Sequence, residues 1–266
     1  MWITMLLVEG SPWPAAMTEG ELIILGISGV IGLTIGDTAY FGALTRLGAR
    51  RALLFSTLGP PATALLALPI LDEPITARMA SGIALTIAGI VWVIRERAPA
   101  AAASAPESES LAVDQGAEER HARRLRAGVA MALLGVLCQA TGNILTKLGS
   151  ANTSPLETSV VRLAFGAIGL SLIVSLTRHR FGLKDPFATR GRVLTLFIAT
   201  FLGTYLGIWL LVTGLQFTSA GVAATLSSMS PVFILPIAVI FLGEEVSRRA
   251  TLGALIAVAG VALLLL

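Results

Sequence analysis

The chain has 266 residues, 55% of them hydrophobic and only 13% charged, with a mean hydropathy of +0.83. A soluble domain has about a quarter of its residues charged, so this composition excludes one and points to a polytopic membrane protein. The lone Cys138 excludes a disulfide framework and a thiolate metal site, and the basic residues behind the net charge of +3 lie in loops between apolar runs, which speaks for membrane orientation rather than nucleic acid.

In chain order, Met1–Val8 is apolar but too short to span, and it lacks the basic start and cleavage site of a signal peptide. A turn-rich segment from Glu9 to Gly20, with Pro12 and Pro14, follows. Apolar runs then predict spans at 21–44, 51–71 and 76–94. Residues 95–126 break the pattern: they are rich in Ala, Pro, Ser and Glu, lack aromatics, and end in Arg120, His121, Arg123, Arg124 and Arg126. Such a segment buries too little apolar surface to fold and reads as a flexible linker. Further spans are predicted at 127–148, 155–177, 192–214, 218–242 and 249–266, so the fold expected is all-α, a polytopic helix bundle with eight spans.

The span from Phe217 to Glu245 is the most informative. Small polar residues (Thr225, Ser227, Ser228, Ser230) sit mid-span beside Pro231, a second proline follows at Pro236, and Glu244 and Glu245 close the run. A proline within a membrane helix frees backbone groups that only protein or a wet cavity can satisfy. The same design occurs once more. Sliding the chain by 171 positions lays Ser56 on Ser227, Pro60 on Pro231, Glu73 on Glu244 and Arg78 on Arg249. Gly32, Gly36, Gly82 and Gly89 meet Gly203, Gly207, Gly253 and Gly260 at that same offset. Apolar identities carry little weight, but a Ser/Pro/Glu/Arg series at one offset marks an internal duplication.

The duplication divides the chain into a first repeat at 1–94 with three spans, the linker at 95–126, and a second repeat at 127–266 with five. The counterpart of 127–171 would precede Met1. Either the true start lies upstream, the expected explanation because Met1–Leu7 falls on the tail of a second-repeat span and is still apolar, or this copy has lost one helix and most of a second. One alternate set of loops (45–51, 95–126, 178–192, 247–249) holds every Lys and Arg except Arg78, Lys147 and Arg162. By the positive-inside rule the linker faces the cytoplasm and both ends face outward.

These residues resemble the EamA-type branch of the drug/metabolite transporter superfamily. The pattern is a span with Ser-x-x-x-Pro (Ser227 to Pro231), an apolar run ending in Leu242-Gly243-Glu244, then a span led by Gly253 with Leu255-Ile256 and Gly260-Val261. The first repeat keeps a weaker form, with Leu71-Asp72-Glu73 in place of Leu-Gly-Glu. Lys147 late in one span, followed by Pro155 and Arg162 in the next, is also similar. The resemblance implies ten helices as two inverted five-helix repeats, a central cavity, and alternating access without ATP, in a bacterial-type plasma membrane. Here the first helix and most of the second are missing, and members with both ends cytoplasmic differ from the charge count of this chain.

Candidate residues follow from what a bilayer penalises. Asp37 lies mid-span, where an ionised carboxylate costs at least about 2.5 kcal/mol. It is either a proton-coupling or cation-binding acid in a cavity, or an aspartate near the aqueous mouth bonded to a neighbouring helix. Its repeat counterpart is Ile208. Gln139, Asn143 and Lys147, four apart, with Thr141 nearby, form a polar stripe that lines a cavity or joins helices. Lys147 could also snorkel or pair with Glu157. Tyr40, Tyr205 and Trp209 are either solute contacts or packing and interface aromatics. Ser56, Thr57, Ser227, Ser228 and Ser230 either line a path beside the bends at Pro60 and Pro231 or bond back to their own helices. Glu73 and Glu244 read as span-end caps or partners of Arg78 and Arg249.

Three functions compete: a secondary transporter of small organic solutes, a non-transporting membrane subunit or remnant, and an intramembrane enzyme. The last has no HExxH, GxSxG or clustered-His signature to support it, and His121 and His179 lie in loops. No cofactor or metal is expected. The partners expected are a small-molecule solute and the bilayer, with homodimer formation left open.

Overall fold

The computed structural model describes residues 1–11, 14, 17–96, 115–176, 190–230, 232–233 and 248–265. Among these residues all regular secondary structure is helical, with no strands. The helices are α1 (Trp2–Glu9), α2 (Glu19–Leu47), α3 (Ala49–Ser56), α4 (Gly59–Ile70), α5 (Ala77–Glu96), α6 (Gln115–Gly149), α7 (Pro155–Leu176), α8 (190–217), α9 (Ala220–Ser227) and α10 (Arg248–Leu265). Six stretches are long and apolar enough to cross a membrane: 19–47, 51–70, 77–95, 122–149, 155–176 and 193–217.

Three expectations change. The flexible linker at 95–126 is helical from Gln115 onward, continuous with α6. Ala, Glu and Arg are strong helix formers, and a helix already nucleated in the bilayer extends through them readily. The span expected at 218–242 begins as the short α9 and is interrupted by a turn at Ser228–Met229, while residues 234–247 lie outside the described residues. The last span, expected over 249–266, is a shorter apolar helix, Arg249–Leu264. Eight full spans are therefore not seen among the described residues.

The chain forms two compact units, one from Met1–Thr34 and Thr141–Ala220, the other from Ile35–Ala140 and Gly221–Leu266. In the first unit, α2 starts from a capping box in which Glu21 N–H donates to Thr18 Oγ1 at 3.3 Å and Thr18 N–H to Glu21 Oε2 at 2.9 Å. The first half of α2 lies close to α6 and α7 because small residues remove the obstacle. A Cβ on Gly142 would sit 3.0 Å from Gly32 Cα, and one on Gly166 would sit 3.0 Å from Leu33 Cβ. Thr34 Oγ1 donates to the Gly166 carbonyl at 2.9 Å, and Thr146 Oγ1 lies 3.4 Å from Ser28 Oγ. A second capping box, Ser154 with Glu157 around Pro155, starts α7. Met5 of α1 is buried against Leu156 and Val160.

In the second unit α5 and α10 run antiparallel along a glycine seam. A Cβ on Gly89 would sit 2.5 Å from the Gly253 carbonyl oxygen, and one on Gly253 would sit 3.1 Å from that of Gly89. Gly82 and Gly260 are related in the same reciprocal way, at 3.0 and 2.9 Å. Between these pairs, Thr86 Oγ1 donates to Gly82 O at 2.8 Å and reaches Ala257 O at 3.5 Å, its own counterpart 171 positions on. Ile90, Ile94, Met229, Val232 and Ala257 make the adjoining core. Asp72, just after α4, has φ 51°, a left-handed backbone that glycine adopts most easily. It stands 171 positions before Gly243.

The α-helical register is not uniform. Val30–Gly36 in α2 and Thr200–Leu206 in α8 are π-helical turns.

Candidate functional site

In the second unit, Asp37 directly follows the π-turn of α2 and is half-buried. Gln139 of α6 donates from Nε2 to Asp37 Oδ1 at 3.3 Å. Gly135, one turn earlier on α6, permits this approach, since its Cβ would sit 3.3 Å from Gly36 O and from Tyr40 N. An amide donor can serve a carboxylate or a carboxylic acid, so this contact survives a change in protonation. Tyr40, one turn beyond Asp37, is half-buried, with its ring tilted against Phe41 at 5.9 Å.

The hydroxyls beside the helix breaks bond back onto their own helices, one of the two readings of the sequence. Ser56 Oγ donates to Leu53 O at 2.8 Å and Thr57 Oγ1 to Leu54 O at 2.7 Å. Ser227 Oγ donates to Ala223 O at 3.0 Å, Ser228 to Ala224 O at 2.9 Å and Ser230 to Ser227 O at 3.3 Å. Each oxygen still has lone pairs able to accept a bond from another donor. Pro60 does not kink a continuous helix. It lies in the first turn of α4, after a turn at Thr57–Leu58 that separates α3 from α4. A turn at Ser228–Met229 lies 171 positions further on, just before Pro231, which lies outside the described residues along with Glu244.

In the first unit, Lys147 reaches from α6 to the Thr218 carbonyl at the C-terminal end of α8. A cation there meets the negative end of the helix dipole. Gln216 works beside it, donating from Nε2 to Thr153 O at 3.1 Å and Ser150 O at 3.3 Å. Together they tie the 150–154 corner to α8. Glu157, one partner foreseen for Lys147, instead caps α7. Asn143 is buried, and its Oδ1 has no hydrogen-bond partner among the described residues. Tyr205 donates to Thr4 Oγ1 at 2.9 Å and stacks on Phe201, with centroids 4.9 Å apart. Trp209 is exposed, and its carbonyl accepts from Thr213 Oγ1.

Arg162 was not singled out as a candidate site, yet it is 1% exposed. The signal was present: an ionised side chain within an apolar run, the reason that drew attention to Asp37. Glu21 was also passed over as the start of a span; its Oε1 accepts from Asn152 Nδ2 at 3.0 Å. Among the described residues no three or more His, Cys, Asp or Glu side chains cluster to hold a metal ion.

The sequence model of the EamA-like transporter family matches residues 1–95 and 126–266 of this chain, leaving only the intervening segment unmatched. A protein of known crystal structure superposes with a TM-score of 0.70 at 17% identity, over 98% of this chain and 81% of the other. At that identity the likeness bears on the fold alone. No curated sequence matches the chain.

Proposed function

The chain belongs to the EamA-like transporter family, and from that premise we propose that it is a secondary transporter moving small organic metabolites or drug-like solutes across a bacterial-type plasma membrane by alternating access. The observation that carries this reading is Asp37, a half-buried carboxylate inside a membrane span with Gln139 donating to it. An ionisable group inside a span is a functional candidate by default, with a proton or a cationic solute as its simplest user, although the Gln139 bond alone also fits an aspartate that joins two helices. In the second unit Tyr40, Ser56, Ser227 and Ser230 supply an aromatic face and acceptor lone pairs. In the first, Asn143, Lys147, Tyr205 and Trp209 are the candidates for solute contact.

The eight spans are read as two inverted repeats of a five-helix unit. Support comes from the α5–α10 seam, where Gly82 faces Gly260 and Gly89 faces Gly253, an antiparallel and reciprocal pairing of residues 171 apart in equivalence. A two-fold relation between repeats produces that pattern, and inverted repeats are common in secondary transporters.

A second reading, a subunit that does not transport alone, draws on α8, whose residues 193–204 are exposed throughout. Counterflow in proteoliposomes, loaded in turn with radiolabelled amino acids and small aromatic cations, separates the two. Exchange by the purified chain supports the transporter, and its absence across the panel favours the subunit. For coupling, Asp37→Asn is compared with the parent between pH 5.5 and 8.5, and an unchanged pH profile of uptake would rule out the acid role.

A further inference from the structure

The two π-turns occupy equivalent places. Val30–Gly36 and Thr200–Leu206 fall one residue from the repeat offset, and Gly32 and Gly36 in the first correspond to Gly203 and Gly207 at the second. π-helical residues make up well under 1% of ordinary structure, so two at matched depth are not expected by chance. A turn of this kind is what one extra residue in an α-helix produces, and such turns concentrate at functional places.

Glycine within a helix usually has a packing reason, and at Gly203 and Gly207 of α8 none is found among the described residues. Nothing among the described residues lies within 4 Å of a Cβ built on Gly203, and Gly207 meets only its own helix, the Leu202 carbonyl at 3.8 Å. What these glycines do instead is weaken the helix, by about fivefold each relative to alanine. In α2 the chain leaves one compact unit for the other within the turn, between Thr34 and Ile35. Mid-helix irregularity with flanking glycines is one recognised origin of a bend.

We infer that the two π-turns are a matched pair of hinges, each the point at which its own helix flexes by exchanging the i→i+5 bonding pattern for the regular i→i+4 one. Their use in alternating access rests on the transporter reading, but their existence does not. Gly203 and Gly207 are the positions that set how easily the second hinge opens, because they lower the stability of the regular helix and meet no other helix among the described residues.

The test needs no solute. Leu194 and Leu210, both well exposed on either side of the turn, are about 24 Å apart at ~1.5 Å per residue. Leu194→Cys and Leu210→Cys in a Cys138→Ser background, spin-labelled in nanodiscs, report that distance by double electron–electron resonance. The hinge predicts two distances in the parent. Gly203→Ala with Gly207→Ala should shift the ratio of the two by about tenfold or more toward the regular i→i+4 helix, given two factors of about five, while the protein melts at or above the parent temperature. A single narrow distance in the parent, or a distribution the alanines leave unchanged, overturns the hinge. A lowered melting temperature overturns it too, because the glycines would then be packing residues. Two distances in a protein that exchanges no solute would sink the transporter reading and uphold the hinge.

Discussion

Gly89→Ala puts the packing of α5 on α10 to a direct test. The added Cβ would stand 2.5 Å from the Gly253 carbonyl oxygen, with the Ala257 backbone closer still. Comfortable carbon contacts lie at about 3.5–4.0 Å. The obstructing atoms are backbone, so no rotamer change relieves the clash, and the helices must part by about 1 Å. A gap of that size forfeits a quarter to a half of each dispersion contact along the seam. Overpacking of this kind costs about 1–3 kcal/mol, which for a chain of this length lowers the melting temperature by roughly 3–10 °C. Tryptophan fluorescence during heating in detergent reads the change, since Trp92 Cβ lies 3.2 Å from the Cβ position of Gly253. Gly260→Ala, the repeat counterpart, meets Thr86 N at 2.5 Å and should fall by a similar amount. Gly203→Ala meets nothing within 4 Å among the described residues, so it should melt at or above the parent and controls for the clash. If Gly89→Ala and Gly260→Ala both melt with the parent, the seam is not held by close backbone contact.

Lys147→Met removes the bond to the Thr218 carbonyl, and a charge-assisted bond of this type contributes about 1.5–3 kcal/mol; the expected result is a lower melting temperature and faster limited proteolysis at 150–154. Asp72→Gly should raise the melting temperature by about 2–4 °C, because φ 51° costs an L residue about 1 kcal/mol that glycine does not incur; Asp72→Val should lower it. Thr34→Val deletes the 2.9 Å bond to Gly166 O with little change in shape and should cost about 1 kcal/mol, read in the same melting assay.

The 171-position offset picked out several features of the structure. Ser56 and Ser227, each followed by a proline at the same spacing, marked the places where the structure interrupts the helices, at Thr57–Leu58 and Ser228–Met229. The four matched glycines at 82, 89, 253 and 260 turned out to line one seam. The π-turns were not visible, because one extra residue in a helix apolar on most sides leaves its hydropathy unchanged. The Gln139–Asp37 bond also escaped, since helical spacing along α6 shows which residues share a face but not what that face meets. Lys147 shared the stripe with Gln139 and Asn143, yet its length lets it reach a backbone carbonyl at the end of α8. Arg120 to Arg126 looked unfolded from composition, where continuity with an apolar helix decides otherwise. Asp72 stood out only as a departure from Leu-Gly-Glu, and its backbone angle explains why glycine is the more comfortable occupant of that place.

Thr86 lies against Ala257, the residue that stands in its own place 171 positions later. Such a meeting requires no second recognition surface to arise. If the 171-residue offset marks a duplication, as proposed, a half-length polypeptide bearing Gly82 and Gly89 would already have carried both sides of the contact, and two antiparallel copies would have formed it twice. Fusion of the two genes would then have made permanent an association that single chains could reach unaided, and left Thr86 free to differ from its twin by one hydroxyl-bearing side chain.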